Sequence, residues 1–301
     1  MRLTDTSQLT KLCAGRVGSL VDGKYRLDAF LGAGSTGAVY RATNVWAGRE
    51  CAVKVFHYEG ENRETALQRF VREAQIANRV QAGGKVHPNV VDCVDVGRDR
   101  DSGRFFTVQE FLRGETLLAF LEKVPDRRVA PADALTILMP VIDAIATAHE
   151  AGVVHRDLKP ENIFLVEGGA HPVAKVLDFG TAQLSDARLT GSSDIMGTPA
   201  YMSPESFMNA RGVDARTDVW ALGVILYEMI GGRVPFGMGA QTLYAIMVEI
   251  ASKEPASLAA EGIIDPGLWA VVQRCLDRDL GTRYVHGRAL QLALEDLAAH
   301  G

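Results

Sequence analysis

Three glycines stand at close spacing in the segment LGAGSTGAVY, residues 31–40, between two runs of strand-forming residues. Gly32, Gly34 and Gly37 carry no side chains, so the backbone N–H groups around them can close over phosphate oxygens. A tight, glycine-rich hairpin is the structural alternative, and this motif alone does not decide between the two. A Rossmann fingerprint is disfavoured because a strand rather than a helix follows Gly37, and the missing Gly-Lys-Ser/Thr excludes a Walker A loop.

A lysine lies inside the apolar strand pattern of residues 51–56. Strand alternation places Ala52 and Lys54 on one face, where a buried ammonium group needs an anionic partner. The helical pattern at about 63–81 offers Glu73, which falls within the apolar arc of that helix. The alternatives are an edge strand with Lys54 in water and a Glu73 that reaches water from the border of the apolar stripe.

The third constellation comprises residues 155–162 (HRDLKPEN) and residues 178–180 (DFG). Together with the glycine loop and Lys54, these motifs resemble the protein kinase family, specifically the eukaryotic-like Ser/Thr kinases of bacteria. They occur in the family's order, and the resemblance extends from about Tyr25 to His300. It implies an α+β, bilobal kinase fold, with a β-rich N-lobe that carries one main helix and a mostly helical C-lobe. It also implies transfer of the ATP γ-phosphate to Ser/Thr hydroxyls of proteins.

The resemblance assigns catalytic and metal-binding roles to four polar residues. Asp157 matches the catalytic aspartate, which accepts or orients the proton of the acceptor hydroxyl. Lys159 would neutralise charge on the γ-phosphate. Asn162 and Asp178 would be ligands of Mg²⁺, with Mn²⁺ as an alternative ion, because hard oxygen donors suit such cations.

The ATP-binding residues follow in the same way from the resemblance. Lys54, oriented by Glu73, would hold the α- and β-phosphates, Val39 and Ala52 would lie against the adenine, and Phe164 would lie beneath it. Gln109 takes the gatekeeper position, with the hinge backbone following it. The full implied set is Leu31, Gly32, Gly34, Gly37, Val39, Ala52, Lys54, Gln109, Glu110, Leu112 and Phe164.

Residues 197–205 resemble the end of an activation segment. Ser203 replaces the usual alanine of Ala-Pro-Glu, a small change that leaves Glu205 able to pair with Arg283. Asp218 matches the start of the long buried helix of the C-lobe. Thr36 departs from the aromatic or Met side chain that many relatives carry at the tip of the glycine loop, which weakens shielding of the phosphates without removing a catalytic group.

Regulation is implied by Arg156, because relatives with this arginine are usually switched on by an activation-segment phosphate that the arginine grips. Thr190 and Ser192 are the favoured autophosphorylation sites, and a polar loop whose hydroxyls have no function is the alternative. Glu115 and Glu161 match acidic positions beside the substrate groove of some basophilic kinases, which hints at a basic residue upstream of the acceptor. Contact of Glu115 with the ATP ribose or with water is equally open.

Two other classes of function compete with an active protein kinase. An ATP-binding pseudokinase scaffold would lack Lys54, Asp157 or Asp178, and all three are present. A small-molecule phosphotransferase of kinase-like fold typically lacks the activation segment and the pairing of Glu205 with Arg283.

Short strand-like runs dominate the first part of the chain, and helices dominate the part after Gly114. These strands and helices must position the residues named above. We expect an extension or short helix at 1–20, largely disordered, and a kinase domain at 21–300. Its N-lobe would span about 21–108, the hinge 109–114 and the C-lobe 115–300. Strands are predicted at 25–31, 38–43, 51–56, 90–96, 105–109, 163–166 and 173–177. Helices are predicted at 63–81, 115–123, 131–150, 219–231, 239–252, 266–276 and 286–299.

The composition restricts compartment and partners. Lys plus Arg is 32 and Asp plus Glu is 37, a net charge of −5 that argues against nucleic-acid binding. The four cysteines form no close pair, which suits reduced thiols in the cytoplasm. The N-terminal residues lack a signal-peptide core, and the longest apolar stretches, at 135–148 and 219–231, are expected to be too short to cross a membrane. The expected partners are protein substrates, with a kinase–kinase dimer left open.

Overall fold

The computed structural model describes residues 6–34, 37–57, 80–168, 172–179, 199–208, 213–240 and 242–300, with the side chains from residue 10 onward. Several sequence predictions therefore lie outside the described residues. They are the tip of the glycine loop with Thr36, the helix with Glu73, and the activation segment with Thr190 and Ser192.

Eight helices and eleven strands occur in the described part of the chain. The helices are α1 Thr6–Ala14, α2 Leu117–Lys123, α3 Pro131–Glu150, α4 Pro204–Met208, α5 Ala215–Gly231, α6 Leu243–Ser252, α7 Pro266–Cys275 and α8 Gly287–His300. The strands are β1 Leu20–Val21, β2 Tyr25–Ala33, β3 Gly37–Asn44, β4 Arg49–Phe56, β5 Gln81–Ala82, β6 Lys85–Val86, β7 Cys93–Arg98, β8 Phe105–Glu110, β9 Gly114–Thr116, β10 Ile163–Val166 and β11 Val173–Val176.

The chain divides into two compact units. Unit 1 comprises Met1–Asn78 and Val91–Arg113, and unit 2 comprises Arg79–Val90 and Gly114–Gly301. Unit 1 contains a six-stranded antiparallel sheet in the order β1-β2-β3-β4-β8-β7. Strand alternation turns one set of apolar side chains to one face, where they form the core of the unit. This core includes Tyr25, Leu27, Tyr40, Val53, Val55, Phe106 and Val108.

The N-terminal segment is part of unit 1, so the expectation of disorder is wrong for residues 6–20. Cys13 in α1 is 1% exposed and belongs to the core of the sheet. The Tyr40 hydroxyl donates to the Cys13 carbonyl at 2.9 Å. The backbone of Gly18 donates to Leu27, and that of Leu27 to Ser19. The segment was polar enough to suggest an extension, but one buried side chain and these backbone bonds attach it to the sheet.

Unit 2 is built around two apolar helices. α3 begins with Pro131 at its first turn, where a missing N–H costs nothing, and it is followed by Gly152 at φ 71°. α5 begins at the N-cap Asp214, whose carboxylate accepts from Arg216 N at 3.0 Å. It is buried continuously over 217–231, which fits the unbroken apolar run at 219–227. α8 packs on α3, and β9, β10 and β11 form a small antiparallel sheet.

Two predicted boundaries are wrong at the junction between the units. Gln81 was assigned to a helix, but it forms β5 and pairs with Val86 across a two-residue Gly-Gly turn, in which both glycines have positive φ. The strand predicted at 90–96 begins at Cys93 instead, and Val90 forms a bridge with Val176 in unit 2.

α3 is long enough and apolar enough to cross a membrane, with 20 residues and a mean hydropathy of 1.4 over its best window. It extends further than the apolar stretch at 135–148 suggested. Half of that window is buried within the protein. Length and composition are weak grounds for a membrane span here, because the core helix of a soluble protein has the same properties.

Candidate active site

The segment 154–162 lies between α3 and β10, and a buried carboxylate from α5 holds its backbone in place. Asp218 accepts hydrogen bonds from His155 N at 2.7 Å and from Arg156 N at 2.8 Å. His149 Nε2 lies 2.8 Å from the same carboxylate, and Gly287 N donates to His149 Nδ1, so Nε2 carries the proton that Asp218 accepts. Arg156 has φ 69°, a conformation that these bonds help to hold.

Three polar side chains meet on this segment. Lys159 Nζ lies 3.3 Å from Asp157 Oδ1 and 3.2 Å from Oδ2. Asn162 Nδ2 donates to the Asp157 carbonyl at 2.7 Å and to Asp157 Oδ2 at 3.1 Å. The structure thus brings together three of the residues that the sequence selected, with a carboxylate held between an ammonium group and an amide.

The residues around Asp178 are joined to the same segment. His155 Nε2 donates to the Leu177 carbonyl at 3.0 Å, because its Nδ1 accepts from Asp157 N at 3.3 Å. The His155 ring contacts the buried Phe179 edge to face, with ring centroids 4.8 Å apart. Leu177 N donates to the Asn162 carbonyl at 2.9 Å. Asp178 itself has φ 53°, so the chain turns sharply at this carboxylate.

A small pocket lies beside Asp157 within unit 2. Its walls come from the segment around Asp157 and Lys159, from Tyr201 and Ser206, and from Thr217 of α5. Its volume is about 20 Å³, which is room for about one water molecule.

The predicted ion pair between Glu205 and Arg283 is present. Arg283 Nη1 lies 2.7 Å from Glu205 Oε1, and Nη2 lies 3.2 Å from Oε2, a two-point contact. Arg283 is 1% exposed, and its guanidinium also contacts the Trp220 ring, 5.0 Å from the centroid. Thr217 donates to Glu205 at 3.0 Å. The pair therefore fastens the chain after the activation segment to the core of unit 2.

Unit 1 carries Lys54 in a central position, so the alternative of an edge strand with Lys54 in water is wrong. β4 lies between β3 and β8, and Lys54 is 6% exposed. Its cross-strand neighbours are Val39 on β3 and Thr107 on β8. Residues paired across a sheet share a face, so the row Gly32, Val39, Lys54 and Thr107 crosses one face of the sheet.

The glycine loop joins β2 to β3 as a hairpin, and Gly34 N donates to the Gly37 carbonyl at 2.9 Å. A Cβ at Gly37 would lie 2.5 Å from the Val55 carbonyl, so packing inside unit 1 requires this glycine. A Cβ at Gly32 or Gly34 would meet no atom of the described residues within 4 Å. Leu31, at the start of this stretch, is exposed.

The remaining ATP-binding candidates divide between the units. Ala52 pairs with Gln109 and Cys51 with Glu110, which places the segment before Leu112 beside β4 in unit 1. Phe164 lies on β10 in unit 2.

Sequence reasoning missed four residues that build the site. His149 supports Asp218, and the buried carboxylate of Glu228 accepts hydrogen bonds from Arg127 and Tyr201. A Glu near the end of an apolar helix was a signal for these hydrogen bonds, because a buried carboxylate requires a partner. Glu115, which the sequence offered as a substrate contact, forms an ion pair with Lys123 at 2.7 Å.

A β-sheet unit with a buried lysine and a helical unit with an Asp-Lys-Asn cluster define a protein kinase. The family model described as "Protein kinase domain" matches residues 25–293, and the chain belongs to this family, in its bacterial Ser/Thr type. Serine/threonine-protein kinase Pkn1 of Myxococcus xanthus is 38% identical over 92% of this chain and 39% of its own length. PrkC of Bacillus subtilis is 30% identical over 89% of this chain and 39% of its own length.

Solved structures show the same fold. The Mycobacterium tuberculosis PknI kinase domain is similar with a TM-score of 0.70 and 23% identity, over 93% of this chain and 98% of that one. The chain spans about a third to a half of the length of the curated relatives Pkn1, pkn2 and pkn3.

Proposed function

We propose that this chain transfers the γ-phosphoryl group of ATP to Ser/Thr hydroxyls of proteins. The single observation that carries the proposal is the cluster of Asp157, Lys159 and Asn162, in which the carboxylate lies within 3.3 Å of both the ammonium group and the amide nitrogen. Phosphoryl transfer needs little covalent chemistry from a protein, so placing the acceptor and neutralising charge are the main tasks. A carboxylate, an ammonium group and an amide within hydrogen-bonding distance are suited to both.

Asp157 has the role of accepting the acceptor's proton. The hydroxyl oxygen forms a bond to the γ-phosphorus, the bond from this phosphorus to the β–γ bridging oxygen breaks, and ADP leaves with that electron pair. Lys159 neutralises charge that develops on the transferred group. The ion pair between Lys159 and Asp157 supports this assignment, because it keeps the ammonium group 3.2 Å from the carboxylate.

Asn162 and Asp178 would hold Mg²⁺, which screens the charge of the phosphates when bound. Asn162 uses Nδ2 to bond Asp157, so the acceptor oxygen of the same amide is left to face a cation. Among the described residues, no group of three or more His, Cys, Asp or Glu side chains could hold a metal. This fits Mg²⁺, which is commonly held by one or two protein ligands together with substrate phosphates. Mn²⁺ has similar requirements.

Unit 1 would bind the nucleotide through the residues that the resemblance selected. The burial of Lys54 supports a phosphate-binding role, since a buried ammonium group requires anions. The open space at Gly32 and Gly34 supports a phosphate-covering loop, because nothing in the described chain requires these glycines. Val39, Ala52 and the hinge positions Gln109, Glu110 and Leu112 complete the part of the proposed site that lies in unit 1.

Activation by autophosphorylation at Thr190 or Ser192 is part of the proposal. Arg156 supports it, because no hydrogen bond or ion pair of its guanidinium occurs within the described residues, although its backbone is tightly held. A phosphate on the activation segment would then have a cation to bind. We further propose a kinase domain at 21–300, a cytoplasmic location, and protein substrates. The second candidate function is an ATP-binding pseudokinase scaffold. It would be favoured if the chain bound ATP without transferring phosphate.

The test is Mg²⁺-dependent transfer of labelled γ-phosphate from ATP to the chain itself and to myelin basic protein. Wild type should label Ser/Thr residues, and Asp157→Asn should lower the rate by about 10²–10⁴-fold while ATP still binds. Peptide mapping should place label on Thr190 or Ser192. ATP binding without transfer in the wild type would refute the proposal and favour the scaffold, and activity without phosphate at either residue would refute the autophosphorylation step.

A further inference from the structure

Thr107 is a buried threonine whose hydroxyl has no partner among the described residues. It lies in β8, it is 8% exposed, and its Oγ1 is enclosed without a hydrogen bond to any described residue. Its neighbours along the strand, Phe106 and Val108, point to the opposite face and belong to the apolar core of unit 1. A buried hydroxyl without a partner lowers stability, and valine would fill the same volume without this loss. The packing of the described chain therefore gives no reason for a hydroxyl at this position.

The sheet places Thr107 directly beside Lys54. The two residues are paired across β4 and β8, so their side chains share one face of the sheet. Side chains opposite each other in an antiparallel pair have Cβ atoms about 5 Å apart. Lys54 is 6% exposed, so it is as deeply buried as its neighbour. An ammonium group and a hydroxyl are therefore enclosed side by side on this face.

Lys54 has four side-chain neighbours on this face, and three of them are apolar. Ala52 and Phe56 lie two residues before and after it along β4, and Val39 lies opposite it on β3. The Lys54 ammonium lies 5.6 Å from the centroid of the Phe56 ring. The fourth neighbour is Thr107. An N–H of the ammonium that points toward the strands can therefore reach one side-chain oxygen among these neighbours, Thr107 Oγ1.

The chemistry of the ammonium group leaves room for such an acceptor. Lys54 has three N–H donors and no acceptor of its own. In the proposed nucleotide site, phosphate oxygens approach it from the side away from the strands, and the carboxylate of Glu73 is its predicted second partner. A hydroxyl oxygen on the strand side supplies a third acceptor without adding negative charge. It can fix the direction of the ammonium group without weakening the attraction of this group for phosphate.

We propose that Thr107 is a positioning residue for the nucleotide phosphates, and that its hydroxyl accepts a hydrogen bond from the Lys54 ammonium when ATP is bound. The inference rests on the proposed function, to which it adds a residue outside the recognised motifs. A hydroxyl that is unpartnered before binding and bonded afterwards lowers the stability of the free protein and contributes to affinity for the nucleotide. Its removal should therefore change these two quantities in opposite directions.

Calorimetric titration with Mg²⁺-ATP and with adenosine tests this role. Thr107→Val should raise the Kd for Mg²⁺-ATP about tenfold, as expected for one hydrogen bond to a charged group. The Kd for adenosine, which has no phosphates, should not change, and the free variant should melt no earlier than the wild type. Thr107→Ser keeps the hydroxyl and should bind Mg²⁺-ATP like the wild type. In a Lys54→Met background, Thr107→Val should have no further effect on Mg²⁺-ATP binding, because the donor is absent.

Thr43→Val is the matched control, because it makes the same change in the same sheet at a hydroxyl that already has a partner. Thr43 Oγ1 donates to Asp28 at 2.5 Å. This variant should melt earlier than the wild type and bind Mg²⁺-ATP with an unchanged Kd, the reverse of Thr107→Val. An unchanged Kd for Mg²⁺-ATP in Thr107→Val, or an equal loss of affinity for ATP and adenosine, would overturn the inference. Binding without phosphoryl transfer in the wild type would refute the proposed function alone, and a wild type that binds no Mg²⁺-ATP would refute both.

Discussion

At the scale of single residues, the glycines of the β2–β3 hairpin have two different reasons to lack a side chain. Gly37 is required by the chain's own packing, because a Cβ would lie 2.5 Å from the Val55 carbonyl oxygen. Gly34 has open space around it, and its φ lies outside the left-handed region, so the described chain does not demand a glycine there. We propose that a bound ligand requires the glycine at position 34.

Two alanine variants separate these reasons. Gly37→Ala should destabilise the nucleotide-free protein by about 1–3 kcal/mol, the usual cost of overpacking. Gly34→Ala should leave the melting temperature of the free protein unchanged and weaken binding of Mg²⁺-ATP. Thermal melting with and without nucleotide measures both effects. A Gly34→Ala variant that melts as early as Gly37→Ala without nucleotide would show that the fold itself requires both glycines.

At the scale of elements, α1 should stabilise unit 1 rather than extend freely from it. Removing residues 1–17 takes away the buried Cys13 and leaves the Tyr40 hydroxyl, buried against α1, without its acceptor. The hydroxyl exchanges this bond for one to water, a net loss of about 1 kcal/mol, and the apolar contact of Cys13 with the sheet is lost as well. The truncated chain should therefore show faster hydrogen exchange in β2 and β3 and an earlier melting transition.

Tyr40→Phe provides the control for this deletion. In the full chain it should cost about 1 kcal/mol, because one hydrogen bond is lost. In the truncated chain it should cost almost nothing, because the hydroxyl there bonds only to water. Equal effects of Tyr40→Phe in both backgrounds would mean that the hydroxyl does not depend on α1.

The sequence predicted the elements that have strong local signals. The helix 131–150 coincides with α3, because Pro131 marks its start and Gly152 follows its end. The motif residues Asp157, Lys159 and Asn162 were also found together, because a short stretch of chain contains all three. In such stretches the residues that mark the start and the end of an element lie next to it in the sequence, so they can be read locally.

Contacts between segments that are distant along the chain were harder to predict from the sequence. The pairing of α1 with β3 depends on Cys13 meeting Tyr40, 27 positions away, and nothing in a polar N-terminal stretch indicates it. Arg127 and Glu228 are 101 positions apart, and their contact depends on a turn with two consecutive non-glycine residues at positive φ, which in the sequence resembles an ordinary polar turn. By contrast, the pairing of Glu205 with Arg283 was predicted across 78 positions only because the family resemblance supplied it.

At the scale of the whole molecule, buried carboxylates make stability depend on pH. Burial alone would raise the pKa of Asp218, but hydrogen bonds from His149 and from backbone N–H groups outweigh it and hold the pKa below its ordinary value. Burial would likewise raise the pKa of Glu205, and the hydrogen bonds and charge of Arg283 outweigh it. In unit 1 the pKa of Asp95 is lowered in the same way, by hydrogen bonds from a lysine and a tyrosine that outweigh burial.

Carboxylates with lowered pKa values bind protons less readily in the folded chain than in the unfolded one. The stability that they contribute is complete above the unfolded carboxyl pKa of about 4, and it is lost as the pH falls through that value toward the folded pKa. Urea unfolding measured between pH 6 and pH 3 should therefore show a constant midpoint down to about pH 5 and a steep fall below it.

A variant pair assigns part of this acid sensitivity to the ion pair of Glu205 and Arg283. Glu205→Gln leaves Arg283 buried without its anion and should cost about 3–5 kcal/mol at pH 7. Combining it with Arg283→Met removes the stranded charge, so the double variant should regain much of this loss. Because one carboxylate with a lowered pKa is then absent, its stability should fall less steeply between pH 5 and pH 3. An acid slope equal to that of the wild type would show that Glu205 takes no part in the acid sensitivity, and that Asp218 and the carboxylates of unit 1 are responsible for it.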